Sequence, residues 1–262
     1  RQRQMCIRDR IGMALLAIVM SANFTACSSD DDEITKDDDG VITNEKKLVE
    51  VKEAYEDGTN VMTLSYDSKG KLISIVEKDY DSSKSDIINI TWGENTVKES
   101  SNGESITYSL TDGLVRSGSE SDGRDYSFAY NSSKQLTTYQ YGDKYGSNTR
   151  TLTWENGKVT KITYNKDISE IVYSNQTCKG YFPLMALMVE DDFKLMIAHP
   201  ELIGMRYTHL PSQTTYKEGN WEDKEEYSYK LNKDGYVESC TIISKRNGST
   251  ESYTTIYTFK WE

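Results

Sequence analysis

From Leu48 to the last residues, apolar and polar side chains alternate along the chain in short runs broken by turn-forming residues. Met62, Leu64 and Tyr66 interleave with Val61, Thr63 and Ser65, and Ile88, Ile90 and Trp92 follow the same rule. So do Ile106, Tyr108 and Leu110, then Tyr126, Phe128 and Tyr130, then Tyr227, Tyr229 and Leu231. The last such run is Tyr253, Thr255, Tyr257, Phe259 and Trp261. A period of two belongs to an extended strand, so each run is a strand with one apolar face.

The breaks between runs align with one another. Tyr66-Asp67-Ser68-Lys69-Gly70-Lys71-Leu72, Trp154-Glu155-Asn156-Gly157-Lys158-Val159 and Leu231-Asn232-Lys233-Asp234-Gly235-Tyr236-Val237 share one form. Looser copies follow Trp92, Leu110 and Tyr130. In each, an aromatic or Leu ends a strand, Asn, Asp and Gly turn the chain, and an aliphatic starts the next strand. The unit recurs roughly every twenty residues, as expected for a meander of consecutive antiparallel hairpins. The predicted fold is all-β, an antiparallel up-and-down meander rolled into an open or closed barrel-like sheet.

One interval is of another kind. All three prolines, Pro183, Pro200 and Pro211, fall in residues 181–211, together with both histidines, His199 and His209. Proline lacks the N–H a ladder needs, so its absence from the alternating runs supports the strand assignment. Leu184, Met185, Leu187, Met188, Val189, Leu195 and Met196 recur at helical spacings. The spacing predicts one amphipathic helix over Pro183–Ala198, a helical insertion that caps or plugs one end of the sheet.

The N-terminal part reads as an address. The apolar stretch Ile11–Met20 is too short to span a bilayer and has the size of a signal-peptide core, with Arg8 and Arg10 as its basic flank. Residues 1–10 pattern as no structural element, with Met5 inside them, and read as a gene-start or assembly error. Phe24-Thr25-Ala26-Cys27 resembles the lipobox of bacterial lipoproteins, which implies a leader over residues 1–26 and lipid attachment at Cys27. Residues 27–47 follow, rich in Asp, Glu and Ser and poor in apolar groups, and are expected to form a flexible tether. A calcium loop at Asp37–Asp39 is disfavoured because the alternating ligands and distal Glu of an EF-hand are missing. The β domain is expected over residues 48–262.

Taken together, the lipobox, the acidic tether, the Tyr-x-x-x-Gly-x-Leu hairpins and one helix within a long meander resemble a family of uncharacterised Bacteroidota lipoproteins. Their domain is described as porin-like in fold. The resemblance implies a rolled sheet, an outer-membrane location held by lipid, and, from the serine and acidic tract after Cys27, exposure at the cell surface. It implies no activity.

The net charge of −11 repels phosphate backbones, so nucleic acid is excluded as a partner. Catalytic patterns are missing too. Glu190, Asp191, Asp192, His199, Glu201 and His209 crowd one interval, but there is no HExxH and the histidines lie across a proline. Neither a Gly-x-Ser-x-Gly elbow nor a phosphate-binding loop occurs, and no carboxylate pair stands out as a glycosidase would require. No cofactor is expected. A membrane-embedded barrel is disfavoured because the apolar ladders run only about three residues where about 9 to 11 are needed. Cys178 and Cys240 are candidates for a disulfide, with two buried thiols as the alternative.

Most of the 19 tyrosines lie on the apolar faces, but Trp221, Tyr145 and Tyr80 are flanked by polar turn residues. Such rings are candidate platforms for sugar rings or peptide side chains. The expected function is a lipid-anchored, noncatalytic binding or structural module of the cell envelope, with a glycan or protein ligand. The alternative is a glycan-active enzyme or an accessory glycan-binding lipoprotein.

Overall fold

A computed structural model describes residues 45–190 and 193–262. Among them sixteen strands form one closed antiparallel barrel. The first eight are β1 (Leu48–Ala54), β2 (Thr59–Tyr66), β3 (Leu72–Lys78), β4 (Asp86–Trp92), β5 (Thr96–Ser101), β6 (Glu104–Thr111), β7 (Leu114–Glu120) and β8 (Asp125–Tyr130). Then come β9 (Leu136–Asp143), β10 (Gly146–Glu155), β11 (Lys158–Tyr164) and β12 (Asp167–Thr177). After the insertion follow β13 (His209–Glu218), β14 (Trp221–Leu231), β15 (Val237–Lys245) and β16 (Ser252–Trp261). Each strand pairs with the next, and β16 closes on β1 with Val51 opposite Phe259. Lys47 and Glu262 extend that closure with two backbone hydrogen bonds, 2.6 and 2.9 Å.

The apolar face points inward. On β8, Tyr126 and Phe128 are buried while Asp125, Ser127 and Ala129 are exposed. Outward positions elsewhere are held by residues such as Ser117, Ser119, Thr151, Thr153, Glu226, Ser228 and Lys230, all exposed. The outer wall therefore lacks the continuous apolar band by which a barrel meets lipid. No helix among the described residues is long and apolar enough to cross a membrane.

Strict alternation does not describe the odd-numbered strands that open after the aligned turns. Leu72 and Ile75, Leu136 and Tyr139, Val159 and Ile162, and Val237 and Cys240 are each three apart, and all are buried. A β-bulge explains the spacing. Tyr66 pairs with Leu72 and Ser65 with Ser74, so Ile73 is an extra residue that leaves Leu72 and Ile75, three apart, both facing inward. The same shift recurs at Ser109/Leu110, Ala129/Tyr130, Thr153/Trp154 and Lys230/Leu231. Ile73 is 42% exposed because it is the bulged residue.

A ring of side-chain hydrogen bonds accompanies the bulges. Trp92 Nε1 donates to Leu72 O (2.7 Å), Tyr130 Oη to Val115 O (2.6 Å) and Trp154 Nε1 to Leu136 O (2.6 Å). Tyr66 Oη reaches Leu48 O (2.7 Å), Tyr173 Oη reaches Val159 O (2.9 Å) and Trp261 Nε1 reaches Val237 O (2.7 Å). Each acceptor lies near the start of an odd-numbered strand, so a ring at or near the end of one strand, or within the longer β12 for Tyr173, satisfies a carbonyl at the start of the strand before it.

Up-and-down connectivity sorts the turns into two rims. The near rim carries Glu45, the aligned turns, the C-terminus and the long connection from β12 to β13. The far rim carries the hairpins β1–β2, β3–β4 and so on to β15–β16.

The β12–β13 connection fills the barrel from the near rim. In place of one helix over Pro183–Ala198 there are two short ones, α1 (Met185–Val189) and α2 (Lys194–Ala198), then a 3-10 turn, Pro200–Ile203. Glu190 breaks the helix by turning extended, φ −155° and ψ 128°, which brings its carboxylate 3.1 Å from Arg150 of β10. Arg150 also donates to Val189 O, and Lys194 reaches Glu77 of β3 at 2.6 Å. Met185, Ala186, Val189, Phe193, Leu195, Met196 and Ile197 are all buried. Sixteen strands can enclose an aqueous channel, but here the insertion and the inward side chains occupy the interior as one core. Pro200 is the first residue of the 3-10 turn, whereas Pro211, expected outside the strands, lies in β13 opposite Tyr173, where the pairing register shifts and the missing N–H is tolerated.

Candidate functional site

The three aromatics singled out by their polar neighbours all come to the far rim. Tyr145 caps the β9–β10 hairpin, 82% exposed, with its N–H on Asp143 Oδ1 (2.8 Å) and Lys144 Nζ 5.0 Å from its ring. Trp221 opens β14 opposite Glu218 and is 43% exposed. Its hairpin is tied to the β15–β16 loop by Asn247, which donates to Asn220 O (3.1 Å) and Asp223 Oδ1 (3.3 Å).

Tyr80 behaves differently. Its hydroxyl donates to Asp57 Oδ2 and its N–H to Asn60 Oδ1, both 3.1 Å, and its ring covers Gly58 so closely that a Cβ there would lie 2.2 Å away. It clasps the first two hairpins together. Around the rim, two hairpins separate Tyr80 from Tyr145 and one separates Tyr145 from Trp221. The topology puts the rings on one end of the molecule without gathering them into one cleft.

Beneath the rim the inward ladder turns polar. Glu225 of β14 accepts from Tyr227 Oη (2.6 Å), Thr214 Oγ1 (3.0 Å) and Ser244 Oγ (3.4 Å). Glu53 of β1 accepts from Tyr257 Oη and from Asn60 Nδ2 (3.4 Å). Tyr216 donates to Asp167 Oδ2 (3.1 Å), and Tyr126 to Glu120. Burial, and then the adjacent carboxylates, hold the Tyr227 and Tyr257 hydroxyls far above their ordinary range, so they stay neutral donors. Burial also raises the Glu120 carboxyl. Nothing among the exposed aromatics announced this layer, but the alternation did carry it: Val97 is followed inward by Glu99, and Tyr229 is preceded by Tyr227 and Glu225.

The other sequence candidates disperse. His199 donates or accepts through Nδ1 with Glu201 (2.8 Å) and stands edge-on to Trp92 at 5.2 Å, while His209 begins β13 and Glu190 belongs to Arg150. Among the described residues, no three His, Cys, Asp or Glu side chains come together to hold a metal. The bridge considered for Cys178 and Cys240 is not formed; both are free, and burial pushes each thiol up to about 12. Cys27, the Asp37–Asp39 run and the tether up to residue 44 lie outside the described residues.

No protein-family model matches the chain, and no curated protein does. Among solved structures, a porin-like protein from Bacteroides uniformis ATCC 8492 superposes with a TM-score of 0.69 at 18% identity, covering 83% of this chain and 98% of the other. A porin-like protein from Bacteroides vulgatus ATCC 8482 gives a TM-score of 0.59 at 13% identity, covering 83% and 99%. At such identities the likeness is one of fold, and it extends over 83% of this chain and nearly the whole length of both neighbours.

Proposed function

We propose that the chain is a lipid-anchored protein of the cell envelope that binds a glycan or peptide at its far rim without turning it over. The observation that carries this reading is the exposure of Tyr145 and Trp221 at the rim opposite the point where the chain enters the barrel. Exposed aromatic faces set among amide and carboxylate groups suit hydroxylated rings, which offer C–H faces for stacking and hydroxyls for hydrogen bonds. The filled interior speaks against conduction, and the polar outer wall against immersion in lipid. The lipobox at Cys27 supplies the attachment that such a wall cannot.

The test is a glycan-array and peptide-array screen with residues 45–262, within which the barrel closes. A captured ligand whose affinity falls at least tenfold in both Trp221→Ala and Tyr145→Ala supports the reading. Capture indifferent to both substitutions, or hydrolysis of the captured glycan, overturns it.

A further inference from the structure

The two rims differ in their balance of charge. At the near rim, Lys47, Lys71, Arg116, Lys158 and Lys179 each stand over an aromatic ring, those of Tyr66, Trp92, Tyr130, Tyr173 and Tyr236, at 4.8 to 5.7 Å. None of the five makes an ion pair with a carboxylate among the described residues, where the near-rim pairs include Lys46 with Asp234, Arg206 with Glu45, Lys230 with Glu238 and Lys260 with Glu262. Towards the far rim, Arg124 pairs with Glu120 and Asp122, Lys217 with Glu170, Lys224 with Glu222 and Lys245 with Glu226, while Lys144 rests on the Tyr145 ring. Further carboxylates crowd that end, in Glu56-Asp57, Asp79 and Asp81. In a protein of net charge −11, these five ring-borne cations thus stand at the end with the fewer carboxylates.

A cation resting on a ring face keeps its charge and its outward hydrogen-bonding capacity, so it remains free to meet an anion. A ring of such cations, backed by Trp and Tyr, suits a plane of phosphates better than a single small anion. Chain geometry points to the same partner. Glu45 enters the barrel at this rim, and residues 27–44 reach at most about 65 Å when fully extended, so a lipid on Cys27 tethers the molecule by this rim rather than the far one.

We propose that the near rim is a docking surface for an anionic lipid bilayer. The lipid at Cys27 supplies the hold, and the Lys and Arg ring sets the orientation, turning the carboxylate-rich far rim and its exposed aromatics away from the membrane. This rests on the anchor reading for its biological setting, but the rim is tested without the anchor.

Residues 45–262, lacking both the apolar leader and the acidic tether, are sedimented with vesicles of phosphatidylcholine alone or of phosphatidylcholine with phosphatidylglycerol, at low and at physiological salt. Binding is expected to the anionic vesicles only and to weaken as salt is added. The triple variant Lys71→Glu, Lys158→Glu, Lys179→Glu is expected to lose at least tenfold in affinity. The far-rim control Lys78→Glu, Lys84→Glu, Lys166→Glu, equal in charge change, is expected to bind within twofold of the parent. Thermal melting of both variants confirms that they fold. Absence of binding to anionic vesicles, equal binding to neutral ones, or equal loss in both triple variants overturns the proposal. Acylation of Cys27 is read separately by fatty-acid labelling of the full chain, so failure of the anchor and failure of the rim are told apart.

Discussion

At Lys134 the backbone takes φ +61°, where the aligned turns have Gly70 at +82° and Gly235 at +87°. The three turns are otherwise the same: Asp67, Asn131 and Asn232 each accept, through one side-chain oxygen, the N–H groups two and four residues on, at 2.9 to 3.1 Å. A side chain with Cβ in that region costs about 1 to 2 kcal/mol, while glycine gives back about 0.4 to 1 of this through unfolded-chain entropy. Lys134→Gly is therefore expected to stabilise the protein by about 0.5 kcal/mol, and Gly235→Ala to destabilise it by about 1 kcal/mol. Urea melts of the two variants against the parent check both signs. A sequence shows such a turn by its Asn, Asp and Gly, but at Lys134 the glycine signal is missing and only the register of the neighbouring copies reveals the turn.

Among elements, the insertion is the one whose removal changes the interior most. Phe193 sits between α1 and α2, 4.9 Å from the Tyr139 ring and 5.9 Å from Phe128, both on the barrel wall. Phe193→Ala is expected to cost about 3 to 5 kcal/mol, because the wall is hydrogen-bonded into a closed ring and has little freedom to collapse into the vacated space. Denaturant melts measure it, and a loss under about 1 kcal/mol would show that the insertion contributes little to the core. The existence and place of this element were legible from its prolines and its helical spacing. Its division was not, since Glu190 leaves the helix for a partner, Arg150, that lies forty residues earlier and meets it only in the folded barrel. The bulges escaped for a related reason: a residue such as Ile73 reads as part of an apolar face until the partner strand shows that it is unpaired. Of the candidate site, Trp221, Tyr145 and Tyr80 were visible as rings in polar company, yet which of them is free and which is clasped depended on a neighbouring hairpin.

For the molecule as a whole, the interior stores acid groups that the fold keeps protonated. Tyr66, Tyr173, Tyr227, Tyr229 and Tyr257 are all raised, chiefly by burial, as are Cys178 and Cys240. Once unfolded, the thiols release protons near pH 9 and the phenols near pH 10. Above those values the native state binds more protons than the unfolded state, so stability is fully present below about pH 9 and falls as pH rises, by about 1.4 kcal/mol per pH unit for each proton withheld. Urea midpoints that decline steeply from pH 9 to pH 11 are expected; a flat profile would mean that these groups titrate in the native barrel.

The closure of β16 on β1 has a consequence for how such a protein comes into being. A cylinder has no first strand, and Lys47 and Glu262 are bonded neighbours, so the barrel itself is indifferent to where the chain is cut. Circularly permuted versions, joined across that seam and reopened at the exposed Asp143–Gly146 hairpin tip, preserve every pairing of the ring. The seam nonetheless falls on the rim that carries the insertion and the five ring-borne cations, and during synthesis β1 waits for nearly the whole domain before its partner emerges. The position of the seam thus makes ring formation the last event of assembly, and it delivers the N-terminal chain to the one end of the cylinder that is already stoppered.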